Sequence, residues 1–314
     1  MAFSGPGRSD RDGISLLELA EMFPNEEAAV DWFEGVVWSG GRCCGHCGSV
    51  DTYRVKTGRP MPYRCRDCKR YFSVKTGTLM AASPLAVRKW VYAIYLDLTS
   101  LKGVSSMKLH RDLRVTQKTA WFMQQRIREA FAHVGPQIFG GPVEVDETYV
   151  GGLEKNKHAR KKLNAGRGPV GKTPVVGVKD RKSGKVAAHV VHSVDGSTLA
   201  GIVEAHAEDG ATVYTDDHGG YSGLEGRYEH ETVKHSVAEY VREQAHTNGI
   251  ESFWAMLKRA HKGTFHHFSA KHLQRYVDEF AGRHNIRGAD TLEQMRHVVA
   301  RMVGKRLMYR DLIA

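Results

Sequence analysis

Carboxylate side chains occur in three short segments that are far apart in the sequence. The segments and their acids are residues 143–152 with Asp146, residues 211–220 with Asp216 and Asp217, and residues 246–259 with Glu251. A carboxylate in an apolar segment is costly to bury unless it is paired or binds a metal. Carboxylates that meet in a fold can hold two divalent cations about 4 Å apart, which suits phosphodiester transfer. Such oxygen ligands favour Mg²⁺ or Mn²⁺ over Zn²⁺.

The first acidic segment is predicted to be a β-strand, because it is short and rich in valine. Successive side chains of a strand point to opposite faces. One face therefore carries Glu144, Asp146 and Thr148, and the other carries Val143, Val145 and Glu147. The second segment is predicted to be a strand that ends in Asp216 and Asp217. Alternation points these two neighbours to opposite sides of the strand. Asp216 is the candidate site acid of this segment, and Asp217 is the alternative.

The third acidic segment is predicted to be a helix, with Asn248 as its possible N-cap. Its apolar residues recur at the spacing of a buried helix face, namely Ile250, Phe253, Leu257 and Ala260. Glu251 and Lys258 are seven residues apart. Because seven residues make about two turns, both side chains project from nearly the same face.

Four of the five cysteines form two CxxC pairs with 17 residues between them, Cys44 with Cys47 and Cys65 with Cys68. This spacing predicts a tetrahedral Cys₄ site for Zn²⁺ in a zinc ribbon. A redox role would need a thioredoxin-like βαβ context, which is absent. Cys43 would make a CxxxC and is left out. The basic and aromatic residues of the ribbon suit contact with the DNA backbone, although a structural module is the alternative.

Residues 84–132 are predicted to form three helices, with Thr116 as the N-cap of the last one. A short helix, a tight turn and a longer basic helix are typical of helix-turn-helix domains. In that interpretation the residues facing a DNA groove are Gln117, Lys118, Thr119 and residues 124–128. An ordinary three-helix bundle is the alternative, because large apolar residues alternate with these polar ones.

Beyond a linker at 135–142, the predicted order is three strands, a helix, a strand, a short strand and two helices. Residues 284–314 are expected to be helical and to cover the core of this region. The loop at 153–172 follows the first acidic strand and includes Lys161 and Lys162. Its lysines and arginines predict either a loop that clamps DNA or a solvated run of charge.

The chain of 314 residues carries 46 lysines and arginines against 35 acids, a formal charge of +11. This excess favours an acidic partner, most simply nucleic acid. The sequence has no apolar run long enough for a membrane span. The first ten residues lack the apolar region of a signal peptide, so a cytoplasmic location is expected.

Taken together, the blocks VEVDETYVGG, TDDHGGY and HTNGIESFWAMLKR with the cysteine pairs resemble the DDE transposases of bacterial insertion sequences, in the ISXO-type group. The resemblance implies a zinc ribbon ahead of an RNase H-like core. It also implies Asp146, Asp216 and Glu251 as the catalytic acids that hold Mg²⁺ or Mn²⁺. Lys258 is implied as a residue that contacts DNA, and Arg259 beside it is assigned the same role. Asn248 is the alternative to Glu251, which is preferred because a charged oxygen binds a divalent cation better.

The expected fold class is multidomain α+β. The predicted domains are an N-terminal helical segment (1–40), a zinc ribbon (41–82), a helical DNA-binding domain (83–134) and an RNase H-like catalytic domain (143–314). The resemblance implies binding to terminal inverted repeats and target DNA, by a homodimer or larger assembly. Two other functions remain open: a DNA-binding regulator with an inactive RNase H-like domain, and an RNase H-like nuclease without strand transfer.

Overall fold

A computed structural model describes residues 13–132, 137–152, 154–163, 169–216, 219–224, 226–233 and 247–314. The chain divides into two compact units. The first unit comprises Met1–Phe131 and Ile286–Ala314, and the sheet unit comprises Ala132–Asn285. The predicted fold class is confirmed, because a ribbon of short strands and a set of helices accompany a mixed sheet of RNase H-like type.

The first unit begins with two helices, the ribbon strands and three further helices. They are α1 (Leu16–Met22), α2 (Glu26–Val37), β1 (Thr52–Arg54), β2 (Tyr63–Cys65), β3 (Tyr71–Phe72), α3 (Val87–Thr99), α4 (Ser106–Leu113) and α5 (Gln117–Phe131). Side-chain caps set several helix starts: Ser15 and Glu18 form a capping box at α1, and Asn25 accepts from the Ala28 amide at α2. Thr116 accepts from the Thr119 amide at the start of α5, as predicted.

Helix α5 corrects the groove-facing set that the sequence predicted. Residues 124–128 are all buried within the first unit, so they do not form an exposed reading surface. Gln117 and Lys118 are exposed on the first turn, whereas Thr119 is half-buried. The reason is packing: Ala120, Met123 and Ile127 anchor α5 in the main core, and the polar side chains between them are enclosed with it.

The C-terminal segment also differs from its predicted place. Residues 286–314 contain α9 (Thr291–Ala300) and α10 (Tyr309–Ile313), and both belong to the first unit rather than to the sheet unit. Met295, Val299 and Met302 are buried in the same core as α3 and α5. Local hydrophobic spacing predicts a helix but not which core it joins, and this explains the wrong assignment.

Within the part of the chain that the structure describes, the sheet unit contains five strands in the order β6-β5-β4-β7-β8. In chain order its elements are β4 (Val143–Val150), β5 (Thr173–Asp180), β6 (Val186–Val190), α6 (Gly196–His206), β7 (Thr212–Asp216), β8 (Glu229–Val233), α7 (Asn248–Ala260) and α8 (Leu273–Asn285). The first three strands pair antiparallel, whereas β4 with β7 and β7 with β8 pair parallel. The predicted order of strands and helices is confirmed.

The two faces of the sheet pack against different helices. One face joins α6 in a core that contains Val143 and Val145. The opposite face joins α7 and α8 in a core that contains Val150. Because side chains alternate along β4, Asp146 and Glu144 lie on the same face of the sheet as Val150, which is the face that packs against α7. No helix of the described residues is long and apolar enough to cross a membrane.

Met302→Ala is expected to lower the free energy of unfolding of the first unit by about 2–4 kcal/mol, because Met302 is fully buried there. Val303→Ala is the matched control, since the side chain of Val303 is 44% exposed. Urea unfolding followed by tryptophan fluorescence measures the effect, because Trp254 is the single one of five tryptophans outside the first unit. Equal unfolding curves for the two variants would contradict the assignment of this segment.

Candidate active site

Asp146 and Asp216 lie at matching levels of two neighbouring parallel strands. The ladder between β4 and β7 pairs Val143 with Val213 and Glu144 with Tyr214. Two residues further along each strand come Asp146 and Asp216. The carboxyl ends of neighbouring parallel strands are where open α/β sheets form their crevices. The register therefore brings these two acids side by side, just past the last paired residues of β4 and β7. Asp217, the alternative to Asp216, lies outside the described residues.

Glu147 joins these two acids, which the sequence interpretation missed. Carboxylate oxygens of Asp146, Glu147 and Asp216 all lie within 4.8 Å of one another, so the three could hold a metal ion. We refer to them as the acidic cluster. Alternation assigned Glu147 to the opposite face of β4, but pairing with β7 has ended at this level. The long side chain can therefore reach round the strand edge, and the adjacent pair Asp146-Glu147 was the signal in the sequence.

The surroundings of Asp146 raise the pKa of its carboxyl to about 7. Burial is the largest cause, followed by the negative charges of Glu147, Asp216 and Glu251, while a hydrogen bond from the Glu147 backbone acts in the opposite direction. A carboxylic acid with such a pKa is about half protonated at neutral pH, and a bound cation would displace the proton. The site is therefore electrostatically suited to a divalent cation.

Tyr221 fixes the side chain of Glu147. Its hydroxyl donates to Glu147 Oε2 at 2.9 Å, and the tyrosine is almost fully buried. Burial and then the charge of Glu147 raise the pKa of Tyr221 far above its ordinary value. The phenol consequently stays protonated and acts as a hydrogen-bond donor. Tyr221 lies in the 3₁₀ turn Gly219–Leu224 that follows β7, within the TDDHGGY block.

Glu251 lies in the first turn of α7, and its charge is among those that raise the pKa of Asp146. The side chain is exposed, and Thr247 donates its hydroxyl to Glu251 Oε1 at 3.0 Å. Glu251 is thus near the acidic cluster without being part of it. Asn248 is the first residue of the helix and is exposed; the N-cap position belongs to Thr247, so the predicted cap at Asn248 is wrong by one residue.

The predicted DNA-contacting residues occupy two places in the sheet unit. Lys258 and Arg259 are exposed in the last turn of α7. Lys162 is exposed just after the 3₁₀ turn Ala159–Lys161, whereas the side chain of Lys161 lies outside the described residues. Exposure makes the three described side chains available to a partner.

The ribbon brings its four paired cysteines together. All four sulfur atoms lie within 4.8 Å of one another, with Cys44 Sγ 3.6 Å from Cys68 Sγ and Cys47 Sγ 3.7 Å from Cys65 Sγ. Thiolates bound at about 2.3 Å to a tetrahedral zinc ion are separated by about 3.7 Å, so the set fits zinc. The His46 ring, which lies between Cys44 and Cys47 in the sequence, contacts the Tyr71 carbonyl at 3.1 Å.

Two parts of the chain match known domain families. Residues 138–285 match the ISXO2-like transposase domain, and residues 24–71 match the transposase zinc-ribbon domain. The chain is also similar to an uncharacterized protein in transposable element ISH50 of Halobacterium salinarum. The two are 29% identical over 280 residues, which cover 85% of this chain and 93% of the relative.

Asp146→Asn is expected to stabilise the sheet unit more at pH 8 than at pH 5, by about 2 kcal/mol. The folded pKa of about 7 exceeds the unfolded value of about 4, so the native state loses stability as the pH rises between them. The gain at pH 8 should be on the order of 2–4 kcal/mol. Thermal unfolding of zinc-loaded protein without Mg²⁺ or Mn²⁺ measures this gain in stability. Glu204→Gln is the control, because the carboxylate of Glu204 is half exposed. The same stability difference at both pH values would refute the raised pKa.

Cys65→Ser is expected to lose the zinc ion, because removal of one thiolate opens the tetrahedral site. Cys43→Ser should keep it, since Cys43 lies outside the four-sulfur group. Metal analysis of the purified proteins gives the zinc content of each. Zinc retained by Cys65→Ser, or lost from Cys43→Ser, would show that the ligands were assigned wrongly.

Proposed function

Since the chain belongs to the ISXO2-like transposases of insertion sequences, we propose that it cuts DNA at the ends of its element and joins those ends to a target. The observation that carries the proposal is the acidic cluster just past the last paired residues of β4 and β7. A cluster of this kind beside a nearby helical glutamate suits two-cation phosphodiester chemistry. A regulator of transcription has no need of it.

Asp146, Asp216 and Glu251 are the proposed ligands of two Mg²⁺ or Mn²⁺ ions, and Glu147 is an additional carboxylate at the same place. The ions, when bound, lower the pKa of an attacking water or 3′-hydroxyl and stabilise the leaving oxygen. Tyr221 keeps Glu147 in one orientation through its hydrogen bond. The raised pKa of Asp146 means that loading of the site releases a proton from this group.

DNA binding is assigned to both units of the chain. In the first unit, Arg64 and Arg66 lie over the rings of Tyr71 and Tyr53 in the ribbon, where stacked guanidinium groups suit phosphate contact. In the sheet unit the proposed contacts are Lys258, Arg259, Lys161 and Lys162. The proposed partners are the terminal inverted repeats and target DNA, held by at least a dimer because two ends must be joined. The proposed location is the bacterial cytoplasm, at the nucleoid.

Asp146→Ala and Glu251→Ala are expected to reduce strand cleavage by at least about 100-fold, because each removes a ligand of the catalytic cations. Asn248→Ala should keep most of the activity. Glu204→Ala is the matched control. Glu204 lies on α6, and its half-exposed carboxylate forms a surface ion pair with Arg227. The assay is Mg²⁺-dependent cleavage of a supercoiled plasmid that carries the element ends, with binding to the same ends measured in parallel.

The products distinguish the proposal from its alternatives. Joined strand-transfer products on a second plasmid support a transposase. Nicked DNA without joined products indicates a nuclease. Tight binding of the ends with no cleavage by the wild-type protein indicates a regulator, and the proposed catalytic role of the acids would then be wrong.

A further inference from the structure

Glu144 is a buried charge that the proposed chemistry does not use. It lies on β4 two residues before Asp146 and is only 2% exposed. Its Oε1 atom accepts from Arg181 Nε at 2.8 Å, and its Oε2 atom accepts from the backbone N–H of Ile250, also at 2.8 Å. A buried carboxylate is tolerated only when it is paired and hydrogen-bonded. Both oxygens of Glu144 therefore have structural partners.

The bond to Ile250 caps helix α7 from outside the helix. The first N–H groups of a helix have no partner within it, and an N-cap side chain ordinarily binds the second or third of them. Thr247 occupies the N-cap position without making such a bond. Ile250 is the third residue of the helix, so Glu144 takes over this role from the neighbouring strand. The negative charge also suits the positive end of the helix dipole.

The partners of Glu144 are themselves held in place. Arg181 follows β5 directly, and its guanidinium lies over the ring of Tyr214 at 3.9 Å from the centroid. Tyr214 is the residue of β7 that pairs with Glu144 across the sheet. Lys179 is the residue of β5 that pairs with Glu144 on the other side. The carboxylate is thus fixed by groups on the strands that flank β4.

Two glycines let α7 lie close to the sheet at this point. A Cβ atom at Gly249 would lie 2.6 Å from Glu144 Oε2 and 2.7 Å from Lys179 Nζ. A Cβ atom at Gly177, the residue opposite Asp146 on β5, would lie 2.6 Å from the ring of Trp254. A larger residue at either position would have to displace these neighbouring side chains. The first turn of α7 is therefore seated on β4 and β5 beside Asp146.

We propose that Glu144 is a positioning residue that holds the first turn of α7 and so sets the place of Glu251 relative to Asp146 and Asp216. Glu251 follows Ile250 directly, so the bond from Glu144 acts one residue from the third acid. This inference rests on the proposed function, because it assumes that Glu251 completes the cation site. Residues that orient metal ligands typically change metal affinity by about 10–100-fold when they are replaced.

Two variants disturb the contact in different ways. Glu144→Gln keeps the shape of the side chain but removes its charge. Gly249→Ala leaves every charge in place but crowds the Glu144 carboxylate and the Lys179 ammonium, so that the bond from Ile250 to Glu144 is disturbed. Gly201→Ala is the matched control, because Gly201 lies within α6 and nothing lies within 4 Å of its added Cβ.

The first measurement is hydrogen exchange of residues 247–256 in the zinc-loaded protein. Glu144→Gln and Gly249→Ala should exchange about 10-fold faster in the first turn of α7, with the first unit unchanged. The second is Mn²⁺ affinity, determined from free Mn²⁺ by electron paramagnetic resonance. Both variants should bind Mn²⁺ about 10–100-fold more weakly, whereas Gly201→Ala should match the wild type in both measurements.

These readouts separate a positioning role from a merely structural one. Faster exchange with unchanged Mn²⁺ affinity in the two variants would overturn the inference, as would wild-type exchange at α7. A wild-type protein that binds no Mn²⁺ would also overturn it, because there would be no cation site to position. Failure of the proposed function has a different signature: the wild type binds Mn²⁺ and the variants bind it weakly, but no DNA is cleaved.

Discussion

Repulsion between carboxylates is the constraint on which the sheet unit depends. Asp146, Glu147 and Asp216 are held at a separation where like charges disfavour one another, and burial of Asp146 adds to the unfavourable energy. The three acids stay close together because interactions elsewhere in the sheet unit fix their positions. The ladder between β4 and β7 fixes the level of the two aspartates, and the phenol of Tyr221 provides a donor for Glu147. Stability is given up locally where three carboxylates that could hold a metal ion are gathered.

The same constraint explains why the acids lie on different kinds of element. Two residues from adjacent strands have a fixed separation, set by strand spacing and register. An acid on a helix that packs on the face of the sheet lies at a distance from the strand acids that is set by the packing of that helix. Here the packing surface of α7 consists of Ile250, Phe253, Trp254 and Leu257, all buried against the sheet face that carries Asp146. Hydrophobic burial thus provides the energy that holds an acidic residue near other acids.

Much of the sheet unit could be predicted from the sequence, because its strands are valine-rich and its helices have regular apolar spacing. The structure has three strands, a helix, two strands and two helices in the order that the pattern predicted. Tertiary information was missing elsewhere. The C-terminal helices joined the core of the first unit, and residues 124–128 of α5 were buried although their polarity indicated exposure. Local periodicity predicts neither outcome, because the apolar spacing of a helix does not indicate which core the helix packs against.

The two glutamates beside Asp146 show why residue type alone could not define the site. Glu144 and Glu147 lie on one strand, on either side of the same aspartate. Glu144 lies where β4 is paired on both edges, so it is enclosed and meets a guanidinium and a helix N-terminus. Glu147 lies past the end of the β4–β7 ladder, so it meets Asp216 and a phenol instead. The point at which two strands stop pairing therefore decides which glutamate supports the fold and which joins the acids.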